Sequence, residues 1–298
     1  MKAAKASELV SFKNVLFLTD FSEPSEAALP FAIGIARAYG SKAFVLHVLL
    51  PDPLLYSTPT SVAVVDEAQE DAAKASMQLV ASRLAGLPYE TVLEWGAGVW
   101  PNVEQALKSH DIDLIVVGTH GRTGAEKLLL GSVAEEIFRR SPVPVLTVGP
   151  AVSKGIHGAA RFHSVLFATD FSAHAHTALP YALSLAQENQ ARLTLLHVLP
   201  YDARSGPSLN QTAMAAGLSK LKDLIPDGTD NWCQPETLIE SGEPAVRILE
   251  VAKRQGADLI VLGVRNIAEH LGAATHLARA TAHKVVAHSG CPVLTVRG

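Results

Sequence analysis

The chain repeats itself. Residues 15–50 (VLFLTDFSEPSEAALPFAIGIARAYGSKAFVLHVLL) align without a gap on residues 165–200 (VLFATDFSAHAHTALPYALSLAQENQARLTLLHVLP). Sixteen of the 36 positions are identical, and several others exchange one apolar residue for another. The match continues in order: ETVLEWG at Glu90 with ETLIESG at Glu236, DLIVVG at Asp113 with DLIVLG at Asp258, and PVLTV at Pro144 with PVLTV at Pro292. A tandem duplication must fold as two copies of one unit, so whatever one copy needs constrains the other. At 298 residues the chain can bury two cores. The expected organisation is a domain at 10–149, a second at 162–298, and a connector at 150–161 rich in Gly, Ala and small polar residues.

Each copy alternates strand and helix. In the first, strands are expected near 14–19, 43–49, 89–94, 114–118 and 143–148, and helices near 23–39, 66–84, 99–109 and 132–139. The strands are continuous apolar runs, as required when helices cover both faces of a parallel sheet. Strict alternation of the two element types predicts an α/β fold: two tandem doubly wound domains, each a five-stranded parallel sheet flanked by helices. Such sheets bind ligands beyond the carboxyl ends of their strands, where the strand order reverses. Asp20, Gly118 and Gly121 fall at that edge. Each copy also ends in an apolar strand, PVPVLTV or CPVLTV, expected at a sheet edge, and an exposed apolar edge is usually paired.

Composition narrows the function. The formal net charge is −4 and no long basic run occurs, which argues against a nucleic-acid surface. No stretch approaches the roughly 18 consecutive apolar residues of a membrane span. The opening MKAAKASELVSFK lacks an apolar h-region. Two cysteines, Cys233 and Cys291, are too few for a disulfide framework, and a reduced, cytoplasmic setting is expected.

The chemistry concentrates in DLIVVGTHGRTGAEKLLLGSVAEEIFRRSPVPVLTV, from Asp113 to Val148. Gly118, Gly121 and Gly131 stand in a G-x2-G-x9-G-S frame closed by Ser132, between a strand and a helix start. Glycines there let backbone approach a ligand, and free N–H groups at a helix start favour an anion. This is a candidate phosphate cradle, with Arg122 and Lys127 as nearby cations. The competing reading is that the glycines serve only turns and close packing. The second copy keeps Asp170, His197-Val198 and Gly263. Asn266 replaces its second glycine, Arg279-Ala280 stand where Gly131-Ser132 stand, and its loop is three residues longer. A cradle lost in the second copy is the expectation. Of the twelve histidines, His174 with His176 and His283 with His288 are spaced too poorly to share a helix face, so no metal set is expected. His47 and His197 end equivalent strands and are read as structural, through a ring hydrogen bond to backbone.

The segments VLFLTDFSEPSEAAL, His47-Val48 and GTHGRTG…LLGSVAEEI…PVPVLTV resemble the universal stress protein family in its tandem form, across nearly the whole chain, and the glycine frame resembles that of its ATP-binding subgroup. The resemblance implies a Rossmann-like domain of the adenine nucleotide α-hydrolase type that binds ATP with Mg²⁺ and acts in stress response or signalling. It implies that Asp20 contacts the adenosine moiety and that Val48 offers backbone groups to the adenine edge. Gly118, Gly121, Gly131, Ser132 and Val133 would surround ribose and phosphates, with Arg122 beside them. The alternative for Asp20 is a cap on the helix that follows. The resemblance also implies a homodimer with intrachain pairing of the two domains, and leaves protein partners unnamed. Walker A, GxGxxG, HxGH and SGGxDS patterns are absent, and no catalytic arrangement is recognisable. A nucleotide binder is the main reading, with a slow ATP-hydrolysing enzyme and a nucleotide-independent scaffold as alternatives.

Overall fold

The computed structural model describes residues 10–51, 59–119, 130–150, 152, 160–200, 207–265 and 274–298, with the side chains of 59–66, 207–210 and 274–280 left undescribed. The chain forms two compact units. One holds Phe12–Pro150 together with Ala160; the other holds Arg161–Gly298 together with Val10 and Ser11.

In the first unit the elements run β1 (Asn14–Leu18), α1 (Glu23–Glu26), α2 (Leu29–Tyr39), β2 (Lys42–Leu49), α3 (Pro59–Arg83), β3 (Tyr89–Trp95), α4 (Val99–Ser109), β4 (Leu114–Gly118), α5 (Ser132–Arg140) and β5 (Val145–Val148). The strands pair in parallel in the order β3-β2-β1-β4-β5. Val15 lies beside both Ala43 and Leu114, so β1 is central and the strand order reverses between β1 and β4. Val15, Leu16, Val45, Leu114, Ile115 and Val116 are completely buried, the expected fate of apolar runs covered on both faces.

The second unit repeats this with β6 (Ser164–Ala168), α6 (Ala173–Asn189), β7 (Arg192–Leu199), α7 (Pro207–Asp223), β8 (Glu236–Ser241), α8 (Pro244–Gln255), β9 (Leu259–Val264), α9 (Ala274–His288) and β10 (Val293–Arg297). Its parallel order is β8-β7-β6-β9-β10, the same winding. The expected α/β class and doubly wound sheets are therefore what the chain forms.

Two expected boundaries move. The helix expected over 23–39 is broken after Glu26, and α2 restarts with Pro30 in its first turn. A proline there costs little, because N–H groups at a helix start lack an intrahelical partner in any case. The equivalent Pro180 lies inside an unbroken α6, so the break is local to the first copy. The third helix begins at Pro59 rather than near 66.

The motif DLIV, present in both copies, has a mechanical role. Asp113 Oδ2 accepts the Lys13 N–H at 2.8 Å and Oδ1 the Asn14 N–H at 3.3 Å. Asp258 does the same for His163 at 2.7 Å and Ser164 at 3.0 Å. One carboxylate thus anchors the start of the central strand beside the strand it precedes. Burial pushes the Asp113 carboxyl above its ordinary range, against the lowering pull of these two N–H groups. Replacing Asp113 by Ala leaves both N–H groups without their acceptor, and the expected loss is about 1 kcal/mol of unfolding free energy, read as a lowered urea midpoint, because water reaches the outer one. An unchanged midpoint contradicts the anchoring role.

Candidate functional site

Asp20 lies two residues past the end of β1, and Gly118 ends the adjacent β4, so both stand at the edge where the strand order reverses. The turn after β1 is tightly specified. Thr19 N–H donates to the Leu46 carbonyl at 3.1 Å and its carbonyl receives His47 Nδ1 at 2.8 Å. A ring nitrogen facing a carbonyl must carry the proton, which fixes the tautomer of His47. Its ring packs on Phe21 with centroids 4.3 Å apart. Phe21 sits at φ 61°, a left-handed conformation that costs a bulky residue on the order of 1–3 kcal/mol. The stacking and a 2.9 Å bond from its N–H to Thr19 Oγ1 offset that cost. The structural reading of His47 and His197 therefore agrees with the geometry.

Asp20 is half-buried. Its Oδ1 accepts the Ser22 N–H at 3.0 Å and the Ser22 hydroxyl at 2.5 Å. Ser22 in turn caps α1 by accepting the Ser25 N–H at 3.3 Å. The alternative reading of Asp20 as the helix cap is corrected: Ser22 is the cap, and Asp20 holds the Ser22 hydroxyl in the orientation that leaves its lone pair for Ser25.

Gly118 serves close packing, the competing reading of the glycine frame. A Cβ built on it would lie 2.7 Å from the Pro24 carbonyl oxygen and 2.9 Å from Ser25 Cα. The helix that follows β1 passes so close over β4 that only glycine fits. Gly263 repeats this, with the His174 carbonyl oxygen 2.3 Å from a Cβ. Its retention in the second copy is thus a packing requirement whatever the ligand.

Gly131, Ser132 and Val133 form the start of α5. Gly131 N–H donates to the Thr119 carbonyl at 2.7 Å, tying the helix start to the end of β4. The first helical bond runs from Glu135 to Gly131, and no side chain caps the end. Among the described residues no acceptor faces the N–H groups of Ser132, Val133 and Ala134. Gly131 itself is at φ −60° and ψ 148°, so its backbone does not require glycine, and any need for glycine there is one of space. Ser132 and Val133 are exposed, and Val48 is half-buried near the end of β2, beside Glu94 of β3. Gly121 and Arg122, with His120 and Lys127, lie outside the described residues.

The second copy preserves one half of this arrangement closely. Ser172 N–H to Asp170 is 2.9 Å, His197 Nδ1 to the Thr169 carbonyl is 2.8 Å, Phe171 is at φ 60°, and the Phe171 and His197 centroids are 4.4 Å apart. The other half differs in backbone. Helix α9 starts at Ala274, so Arg279 and Ala280 lie inside it instead of at its N-terminus. Their N–H groups point to carbonyls of the preceding turn and are not offered outward.

Elsewhere, burial pushes the Cys291 thiol up to about 11, leaving it protonated at neutral pH and unsuited to nucleophilic work. Cys233 and Cys291 are free thiols. Among the described residues no three His, Cys, Asp or Glu side chains gather as a metal site, and no helix is long and apolar enough to cross a membrane.

A doubly wound parallel sheet, with a helix start that no described side chain caps and a held carboxylate at its reversal point, defines a Rossmann-like α/β domain. The universal stress protein family matches residues 11–149 and again 161–297, so the chain belongs to that family, twice over. A universal stress protein of Bacillus subtilis, YxiE, is 33% identical over 150 residues, which is 46% of this chain and 99% of that protein. The solved universal stress protein of Archaeoglobus fulgidus aligns over 95% of this chain and 98% of its own, with a TM-score of 0.69 and 24% identity, a likeness of fold. Another universal stress protein, solved in complex with cAMP, is 22% identical over 46% of this chain, with a TM-score of 0.36.

The packing of Gly263 makes a prediction independent of any ligand. Gly263→Ala forces a methyl against the backbone of α6 and should lower stability by about 1–3 kcal/mol in urea titration, although its copy has no free helix start at the glycine-serine position. A neutral outcome would mean that α6 shifts freely.

Proposed function

We propose that the first copy binds ATP with Mg²⁺ and that the protein acts in stress response or signalling through nucleotide-dependent conformation or assembly. The observation that carries this reading is the contrast between the two helix starts. In the first copy α5 opens at Gly131-Ser132 with N–H groups facing away from the helix, close to the end of β4; in the second, α9 has absorbed the same positions. Phosphate is attracted to such a helix start by its N–H groups and by the positive end of the helix dipole. Asp20 would then meet a hydroxyl or amino group of the nucleoside, since a carboxylate set against phosphates would repel them. Val48 would supply backbone groups to the base. Gly121 and Arg122 complete the proposed set by the family resemblance.

Magnesium suits this arrangement. It is commonly held by one or two carboxylates together with substrate phosphates, so it would arrive with the nucleotide. The sequence carries no recognised catalytic arrangement, and binding without fast turnover is the reading favoured over an ATP-hydrolysing enzyme. The chain is further proposed to form a homodimer, which light scattering behind size exclusion would read directly.

Calorimetric titration of nucleotide-free protein with ATP and magnesium tests the proposal. One site per chain at micromolar affinity, about −8 kcal/mol, is expected. Gly131→Arg, which places the second copy's residue in the first, should abolish that binding; φ −60° suits any residue, and a urea titration of the variant separates lost binding from lost fold. Two equal sites would overturn the reading of α9, and undiminished binding by the variant would overturn the placement of the phosphates.

A further inference from the structure

The 150-residue offset between the copies extends upstream of the aligned block, so Val10 corresponds to Ala160, and on the first helix Gly34 corresponds to Ser184. These four positions meet crosswise. The Ala160 N–H donates to the Pro30 carbonyl at 2.8 Å, and its own carbonyl oxygen lies 1.9 Å from where a Cβ on Gly34 would stand. Ser184 is completely buried, and its hydroxyl donates to the Val10 carbonyl at 2.9 Å. Ala160 leads into β6 yet packs on α2 of the first copy, and Val10 leads into β1 yet packs on α6 of the second. The compact units divide in the same way, with Ala160 grouped with Phe12–Pro150 and Val10 with Arg161–Gly298.

We propose that α2 and α6 are docking sites for the segment leading into the first strand of the other copy: the connector at Ala160 on α2, and the N-terminal segment at Val10 on α6. Both sites recognise backbone carbonyl, by different means. On α2 the contact needs a bare Cα, because any side chain at Gly34 occupies the place of the Ala160 carbonyl. On α6 the equivalent residue is a serine whose hydroxyl bonds the carbonyl instead. The Val10 carbonyl is half-buried, and the buried Ser184 hydroxyl is its donor. Gly34 and Ser184 are therefore matched to opposite segments, and each copy depends for part of its packing on residues outside its own repeat. This goes beyond nucleotide binding and stands whether or not that reading holds.

Hydrogen–deuterium exchange of the full chain, read by peptide, tests it. Ser184→Ala removes the donor to Val10 and should speed exchange of amides in residues 10–13 about fivefold, roughly the worth of one part-buried hydrogen bond, with residues 160–163 unchanged. Gly34→Ala should do the reverse, releasing the Ala160 amide and sparing residues 10–13. Should Gly34→Ala fail to fold, deletion of residues 1–10 replaces it, and faster exchange in α6 with β1 to β5 unaffected is the supporting result. Unchanged exchange at 10–13 in Ser184→Ala overturns the proposal, as does a deletion whose effect is confined to the first copy.

Discussion

Both copies depend on a contact between two pieces of backbone. The chain leaving the first strand turns through a left-handed phenylalanine and lays the start of its first helix directly on the fourth strand, where Pro24 meets Gly118 and His174 meets Gly263. At these distances no Cβ fits, so the glycine sets how near helix and strand can come. The histidine ending the second strand holds the same turn from the other side through its bond to Thr19 or Thr169. Asp20 and Asp170 are thereby fixed at the point where the sheet reverses. A polar group held rigidly there costs little further ordering when a ligand arrives, the condition under which a few hydrogen bonds give useful affinity.

Much of this was legible in the sequence. Duplication, apolar runs and alternating elements sufficed for the doubly wound sheet, because burial on both faces leaves a pattern that few other arrangements produce. The structural roles of His47 and His197 followed from their position at the ends of apolar strands. What the sequence could not separate was why a glycine is present. A Gly after a strand serves a ligand or a neighbouring backbone equally well on paper, and only the proximity of Pro24 decides that Gly118 serves at least the latter. Retention of Gly263 beside loss of the other frame residues was the available signal. Ser22 was missed as the cap because Asp20 and Ser22 are both good capping residues two positions apart, and their division of labour is set by the left-handed Phe21 between them.

The contrast between α5 and α9 bears on how a duplicated site diverges. Read as sequence, the second copy has exchanged a glycine for Arg279, which suggests a side chain filling the space of a phosphate. The backbone offers a different account. With α9 beginning six residues before Ala280, the N–H groups at the positions equivalent to the α5 start serve the helix itself. Strain at Arg279 is not required either, since the corresponding Gly131 sits at φ −60°, open to any residue. An extended helix gains a bond for each residue added, whereas an anion site leaves such donors unused until the ligand comes. On the proposed function, a copy that does not hold phosphate can lengthen its helix at a gain in stability. The turn at Asp170 and His197 has no such freedom, because Gly263 and Phe171 tie it to the sheet. That asymmetry accounts for a turn that repeats between the copies to within a few tenths of an ångström beside helix starts that differ.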